Sequence, residues 1–291
     1  MSVQDSVPES GSAPGQDLPA GLRSRLHLSK LAIGAASVLV FWLLCATFGY
    51  FVVPHDPLAI DPIASFAPPS AEHFFGTDSL GRDVFSRVIV GSREILLVAP
   101  LATLLGVALG TFIGLTMGYF RGPVDAIVGR LMDALISLPT VVVALVALTA
   151  LGPSKVTIIL VIGLVFTPYV ARTVRTAVLH ERELEYIEAA RIRGETSLYI
   201  MTVELFPNVL PLVVVEATVR LGYAIFAVAT LSFIGFGIQP PSPDWGLAIF
   251  EGYGFLSAGY WWPTLFPALA IASLVISVNL LADGIVESNE R

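Results

Sequence analysis

The sequence has little charge for its length. Asp, Glu, Lys and Arg make up 13% of its 291 residues, against about 25% in an ordinary soluble domain. Apolar residues make up 55%, and the mean hydropathy is +0.79. This composition excludes a typical soluble domain and a charge-rich disordered chain. The net charge of −7 argues against a basic nucleic-acid-binding surface. The chain is therefore predicted to lie in a membrane.

Lysine, cysteine and catalytic motifs are also scarce. The 16 basic residues include only two lysines, Lys30 and Lys155, and Cys45 is the single cysteine, which excludes an intrachain disulfide. A P-loop needs a Gly-Lys pair to surround phosphate, and neither lysine follows a glycine. Neither an H-E-x-x-H zinc motif nor a G-x-S-x-G nucleophile elbow occurs. We therefore predict no catalytic residues, no metal and no cofactor in this chain.

Apolar runs predict an all-α integral membrane protein with six transmembrane helices. Residues 1–30 are rich in Ser, Pro, Gly and acids and predict a disordered cytoplasmic tail. Residues 31–53 carry no charge and are long enough to cross the membrane, and too long for a signal peptide. Residues 54–93 are too charged and proline-rich for lipid and predict an extracytoplasmic segment. A transmembrane core follows at 94–287, with spans near 94–118, 132–151, 156–178, 208–237 and 263–285.

The distribution of basic residues predicts the orientation. With a cytoplasmic N-terminus, eleven Lys and Arg residues fall on the inside, four on the outside, and Arg220 within a span. This excess obeys the positive-inside rule. Both termini are therefore predicted to be cytoplasmic.

Two features lie within the predicted spans. Glycines recur at intervals of four in the second span, which places them on one stripe of a helix: Gly106, Gly110, Gly114 and Gly118. Small residues allow close helix approach in lipid, so we predict a helix contact, with static packing favoured over a moving interface. Glu216 and Arg220 are four residues apart in the fifth span and share a face. They are interpreted as an ion pair or as residues lining a cavity.

The longest cytoplasmic connection, residues 180–207, predicts a short helix at the membrane surface. Glu185 to Arg193 has helix-forming character, with Ile187, Ala190 and Ile192 as a small apolar face. Gly194 suits a turn between two helices. This helix is interpreted either as a docking site for a partner protein or as an amphipathic connector between two spans.

The loop resembles the EAA loop of ABC-importer permeases. Glu188-Ala189-Ala190, three residues, Gly194, and then Phe206-Pro207 follow that family's pattern. The resemblance implies that Glu188, Ala189, Ala190, Gly194 and Pro207 couple the permease to an ATPase, with Gly194 as the pivot.

Further segments resemble the C-type permease of dipeptide and oligopeptide importers. They are GTDSLGRDVFSR before the second span, LSFIGFGIQPPSPDWG after the fifth, and NLLADG near the C-terminus. The resemblance implies a type I ABC importer permease fold. The implied partners are a second homologous permease subunit, two ATPase subunits that hold ATP and Mg, an extracytoplasmic peptide-binding protein and the lipid bilayer.

The implied function is that of a pore-forming subunit of an ATP-driven peptide importer in the cell membrane. Asp78, Asp83 and Asp244 lie in predicted extracytoplasmic loops and are candidates for contact with the binding protein. Two alternatives stay open at this point. One is a self-sufficient secondary carrier or channel, which would need more charged groups in the membrane. The other is a family member that carries nickel complexes or another solute.

Overall fold

The computed structural model of the protein describes residues 30–289, and this part of the chain is predominantly helical. Within these residues, β-type pairing is limited to one isolated bridge between Thr77 and Asp83. The helices are α1 (Lys30–Val52), α2 (Val84–Phe120), α3 (Gly122–Ile136), α4 (Thr140–Leu151), α5 (Lys155–Glu181), α6 (Glu185–Ile192), α7 (Ser197–Tyr199), α8 (Phe206–Phe233), α9 (Trp245–Gly252) and α10 (Trp262–Asn289). The predicted tail, residues 1–30, lies outside the described residues except for Lys30, where α1 begins.

Five helical stretches are long and apolar enough to cross a membrane: α1, α2, α5, the run from α7 through α8, and α10. The span predicted near 132–151 is instead a pair of helices, α3 and α4, that meet at a bend of 89°. Pro139 explains the break, because it has no N–H to donate and disfavours a helical conformation at Leu138. The predicted all-α membrane fold is confirmed, and the count reaches six if the bent pair crosses as one span.

Helix α2 begins at Val84, which is earlier than the predicted start at residue 94. Asp83 caps the helix by accepting a hydrogen bond of 2.8 Å from the backbone N–H of Ser86. The charges and prolines of residues 54–93 led to the prediction that this stretch lies outside the lipid, but the side chain of Arg87 is buried and donates to two loop carbonyl oxygens. The non-helical part of the predicted segment 54–93 therefore ends at Asp83.

The glycine stripe of α2 packs directly on the backbone of α5. A Cβ atom added to Gly110 would lie 2.5 Å from Cβ of Val170 and 2.8 Å from the carbonyl oxygen of Thr167. At Gly114 the nearest atom would be the carbonyl oxygen of Ala171, at 2.7 Å. These distances are too short for any side chain, so the two backbones are in contact. The predicted helix contact is present, and its partner is α5.

The opposite half of α2 is held by a buried tryptophan of α9. Trp245 is almost fully buried and donates a hydrogen bond of 2.8 Å from Nε1 to the carbonyl oxygen of Val88. Its ring also meets Trp42 of α1 edge to face, with centroids 4.7 Å apart. Helices α1, α2 and α9 are thereby joined at one end of the molecule.

The helix contact at Gly110 generates a stability prediction. Gly110→Ala is expected to destabilise the protein by about 1–3 kcal/mol, because the added methyl group overpacks the contact with Val170. Gly34→Ala in α1 is the matched control, since a Cβ atom there would meet nothing within 4 Å. Thermal unfolding in detergent measures both variants. Equal unfolding temperatures for the two variants would contradict the close contact.

Candidate coupling loop and buried charges

Helix α6 is fixed to the molecule by one face. Ile187 and Ala190 are 0% exposed and pack in a cluster with Leu205 and Val209. Glu188 and Ala189 lie on the outer face and are exposed. The helix therefore presents a small acidic and apolar surface while its inner side is part of the core.

Two expectations for this helix require correction. Ile192 is 81% exposed and does not share the buried face of Ile187 and Ala190. Residues three apart share a helix face, but Ile192 is five residues beyond Ile187 and points elsewhere. Ala190, proposed with Ala189 as an ATPase contact, is fully buried in this chain's own core. Of the two alanines, Ala189 alone reaches the surface.

Gly194 ends α6 in a left-handed conformation. Its φ is +77°, which costs a residue with a side chain roughly 1–2 kcal/mol. Its backbone N–H donates to the carbonyl oxygen of Arg191, and the N–H of Glu195 donates to that of Ala190. This pair of bonds is a Schellman motif. Thr196 then caps α7 by accepting from the N–H of Tyr199. The predicted turn between two helices is present at Gly194.

The loop continues into the next span without a break. A π-helical turn, Ile200–Leu205, joins α7 to α8, and Pro207 lies in the first turn of α8. Proline lacks an N–H and crowds the carbonyl of the fourth residue before it, which favours a wider turn here. Ser197 and Phe233 are therefore the ends of one continuous helical run.

A chain of hydrogen bonds links α6 to both neighbouring spans. Tyr186 donates to Glu181 at the end of α5, at 2.8 Å, and accepts from the Asn208 side chain of α8, at 3.2 Å. Burial, followed by the bond to Glu181, raises the pKa of Tyr186 to about 12. Tyr186 thus stays protonated at neutral pH and keeps its role as a donor.

The start of the loop is tied to the end of α2. Arg182 donates to the backbone carbonyl oxygens of Gly118 and Tyr119, where a cation also complements the negative end of the helix dipole. Glu183 forms a 2.6 Å ion pair with Arg121. An open depression of about 480 Å³ lies beside these contacts and is lined by Arg182, Glu183, Leu184, Glu188, Arg191 and Ile192.

Glu216 and Arg220 form an ion pair within α8. Nε of Arg220 donates to Oε1 of Glu216 at 2.7 Å, and its guanidinium lies over the rings of Tyr169 and Tyr223, 5.0 and 5.6 Å from their centroids. Both side chains are largely buried. Each charge is thus neutralised inside the chain, as in the ion-pair interpretation.

At the opposite end of α2, four charged side chains form a closed network. Arg82 contacts Asp78 and Glu251 at 2.6 Å each, and Arg87 lies 3.7 Å from both carboxylates. The two arginines are almost fully buried. The network contains two positive and two negative side chains, and this balance lowers the free-energy cost of burying them. The network also joins the α1–α2 connection to α9.

Comparison with known proteins identifies the family. The family model described as "Binding-protein-dependent transport system inner membrane component" matches residues 110–291. The chain belongs to this family. It is therefore a multi-pass permease of the inner membrane.

The permease is similar to several curated transporters. It is 37% identical to the probable D,D-dipeptide transport system permease protein DdpC of Escherichia coli (strain K12), over 88% of this chain and 86% of that protein. It is 35% identical to the dipeptide transport system permease protein DppC of Bacillus subtilis (strain 168), over 91% and 82%. A solved chain of the inward-facing MetNI methionine ABC transporter matches with a TM-score of 0.57 and 21% identity, over 70% of this chain and 97% of that chain. This last match shows the fold alone.

Three aspartates of the permease that were predicted to lie at the extracytoplasmic surface are buried. Asp78, Asp83 and Asp244 are only 8%, 3% and 0% exposed, so the expectation that they contact a binding protein is corrected. Asp78 pairs with Arg82, and the other two cap the helices that follow them. Aspartate is common both in exposed loops and at helix caps, because its side chain accepts hydrogen bonds from backbone N–H groups.

Asp244 is the most buried of the three. Its Oδ1 accepts a hydrogen bond of 2.8 Å from the N–H of Leu247 at the start of α9. Burial is the main cause that raises the pKa of Asp244 to about 6, partly offset by this hydrogen bond. The native state therefore holds this proton more tightly than the unfolded chain does.

The raised pKa of Asp244 generates a pH prediction. Its contribution to stability is full below the unfolded pKa of 3.8 and is lost as the pH rises through about 6. Asp244→Asn keeps an acceptor for Leu247 but cannot ionise. The free energy of unfolding of the variant, relative to that of the wild type, is expected to increase by about 1–3 kcal/mol between acidic and neutral pH.

Thermal unfolding in detergent across this pH range measures the effect. Asp61→Asn is the matched control, because Asp61 also caps a turn, by accepting from Ile63, but is exposed. A difference between wild type and Asp244→Asn that does not change with pH would contradict the prediction.

Proposed function

We propose that this permease is one of two membrane subunits of an ATP-driven importer of small peptides. The support for the peptide substrate is the similarity of this chain to a dipeptide transport permease and to a probable D,D-dipeptide transport permease. The support for ATPase partners is the family itself together with the lack of a P-loop in this sequence. ATP and Mg²⁺ would be held by the partner subunits, and an extracytoplasmic binding protein would deliver the peptide.

The single observation that carries the coupling role is the exposed outer face of α6. Glu188 and Ala189 project from a helix whose inner face, Ile187 and Ala190, is fully buried. A partner that moves this face must therefore move the core cluster behind it. The hydrogen bonds of Tyr186 to α5 and α8 extend the same connection to two membrane spans.

The mechanism we infer is alternating access driven by the ATPases. Closure of the ATPases on ATP displaces α6, and the packed contacts transmit this displacement to α5 and α8. A shift between two states requires contacts that differ between them. The Schellman turn at Gly194 lets α6 change its angle to α7 without breaking either helix.

The orientation we propose follows the positive-inside rule. The α6 loop, the end of α2 and both termini lie in the cytoplasm, where the ATPases are. The charge network of Arg82 and Arg87 lies at the outer end. This arrangement places the coupling surface and the solute entrance on opposite sides of the membrane.

Gly194→Glu is expected to abolish peptide uptake in cells that contain the whole importer. A glutamate side chain makes the left-handed backbone conformation at residue 194 strained, and it adds bulk at the coupling turn. Gly152→Glu is the matched control, because Gly152 also has positive φ, +84°, and also has nothing within 4 Å of an added Cβ atom. Gly152 caps the C-terminal end of α4, far from the coupling turn in the chain, and the Gly152→Glu variant should retain uptake.

Radiolabelled dipeptide uptake, with immunoblots for membrane insertion, measures both variants. Normal uptake by Gly194→Glu would refute the coupling role. Peptide transport by this chain alone in liposomes would refute the importer assignment.

A cysteine placed at residue 185 tests the orientation. In a Cys45→Ala background, Glu185→Cys is expected to react with a membrane-impermeant maleimide only after the cells are permeabilised. Ala71→Cys, in the α1–α2 connection, is the comparison and should react in intact cells; both positions are exposed. Labelling of residue 185 from outside would reverse the proposed topology.

A further inference from the structure

Although the sequence predicted no metal, we propose that His55, His73 and Asp83 form a binding site for a divalent transition metal of the zinc class. One ligand atom from each of the three residues lies within 4.8 Å of the other two. The residues come from separate points of the connection between α1 and α2. His55 follows the end of α1, His73 lies in the middle of the connection, and Asp83 caps α2.

The closest pair already has nearly the spacing of two zinc ligands. Nδ1 of His73 lies 2.9 Å from Oδ1 of Asp83. Zinc bonds of about 2.0–2.2 Å in tetrahedral geometry put neighbouring ligand atoms roughly 3.4 Å apart. A metal ion can therefore replace the proton between these two atoms after a small rotation of the side chains.

The tautomer of His55 leaves a lone pair for the metal. Nε2 of His55 lies 2.9 Å from the backbone carbonyl oxygen of Glu72. A carbonyl oxygen can only accept, so Nε2 carries the hydrogen and Nδ1 of the neutral ring has a free lone pair. Metal-bound histidines commonly donate their other ring N–H to a backbone carbonyl in this way.

Asp83 is held by an equivalent set of outer contacts. Its Oδ2 accepts hydrogen bonds from the N–H and the hydroxyl of Ser86, at 2.8 and 2.7 Å. The carboxylate is therefore fixed in direction, and its Oδ1 faces His73. Ligating carboxylates are usually hydrogen-bonded by such partners.

The donor set selects the kind of metal. Two imidazoles and one carboxylate suit zinc and its neighbours in the first transition series, whereas Mg²⁺ and Ca²⁺ prefer oxygen ligands alone. The side chain of His73 is 15% exposed, so an ion and a completing water can enter from solvent.

The arrangement exceeds what capping of α2 requires. Asp83 caps α2 through Oδ2, and His73 alone would be a sufficient partner for Oδ1. His55 is additional, and its ring lies against that of His73 with centroids 4.8 Å apart. The bound ion would fasten the end of α1 to the beginning of α2.

Metal binding to the full-length, tag-free permease in detergent tests the proposal. Zn²⁺ content after equilibrium dialysis is expected to be one ion per chain, and Co²⁺ is expected to give visible d–d absorption that Zn²⁺ abolishes. His55→Ala and His73→Ala are expected to lose the ion. His180→Ala is the matched control, because His180 lies at the end of α5, outside the site, and it should retain the ion.

Asp83→Asn tests the carboxylate separately from the cap, since Asn still accepts from Ser86, and it is expected to weaken Zn²⁺ binding by about tenfold or more. Unchanged Zn²⁺ content in the His55→Ala, His73→Ala double variant would overturn the proposal. If these variants do not fold, the wild type decides the question: absence of bound Zn²⁺ and of the Co²⁺ bands would also overturn it.

Discussion

The contact between the backbones of α2 and α5 is the constraint on which the rest of the permease depends. Lipid provides no hydrophobic drive between helices, so attraction must come from close approach. Gly110 and Gly114 permit that approach because any side chain there would overlap α5. The contact fixes the ends of both helices. Arg182 can therefore reach the last carbonyl oxygens of α2, and α6 begins from a defined position.

The two ends of this helix pair are stabilised by different physical means. At the α6 end, packing of Ile187 and Ala190 and a few hydrogen bonds hold a short helix on the surface. At the other end, Arg82 and Arg87 are buried among carboxylates in a network that joins distant parts of the chain. Breaking a buried charge network costs several kcal/mol, whereas a helix held mainly by packing on one face can shift at lower cost. This contrast fits an importer in which the α6 end moves.

The position of α6 also agrees with the coupling role proposed for it, because a long helical run follows this short helix. The exposed part of α6 is short, but the chain after the Gly194 turn forms one helical run from Ser197 to Phe233, through α7, the π-helical turn and α8. Because Ile187 and Ala190 pack against Leu205 and Val209, a force applied to α6 would act on this run through side-chain packing. The ion pair of Glu216 and Arg220 lies within the same run and keeps both charges neutralised there.

The sequence by itself determined the features that depend on local pattern. Apolar runs predicted the membrane spans, the four-residue glycine interval predicted the contact face of α2, and Gly194 predicted the turn after α6. Tertiary structure decided the features that depend on residues far apart in the chain. Arg87 is helical and buried because loop carbonyl oxygens and Glu251 surround it, and Asp244 is buried beneath α9. Whether a charged side chain is exposed or buried is set by such distant partners, so no local pattern in the sequence reveals it.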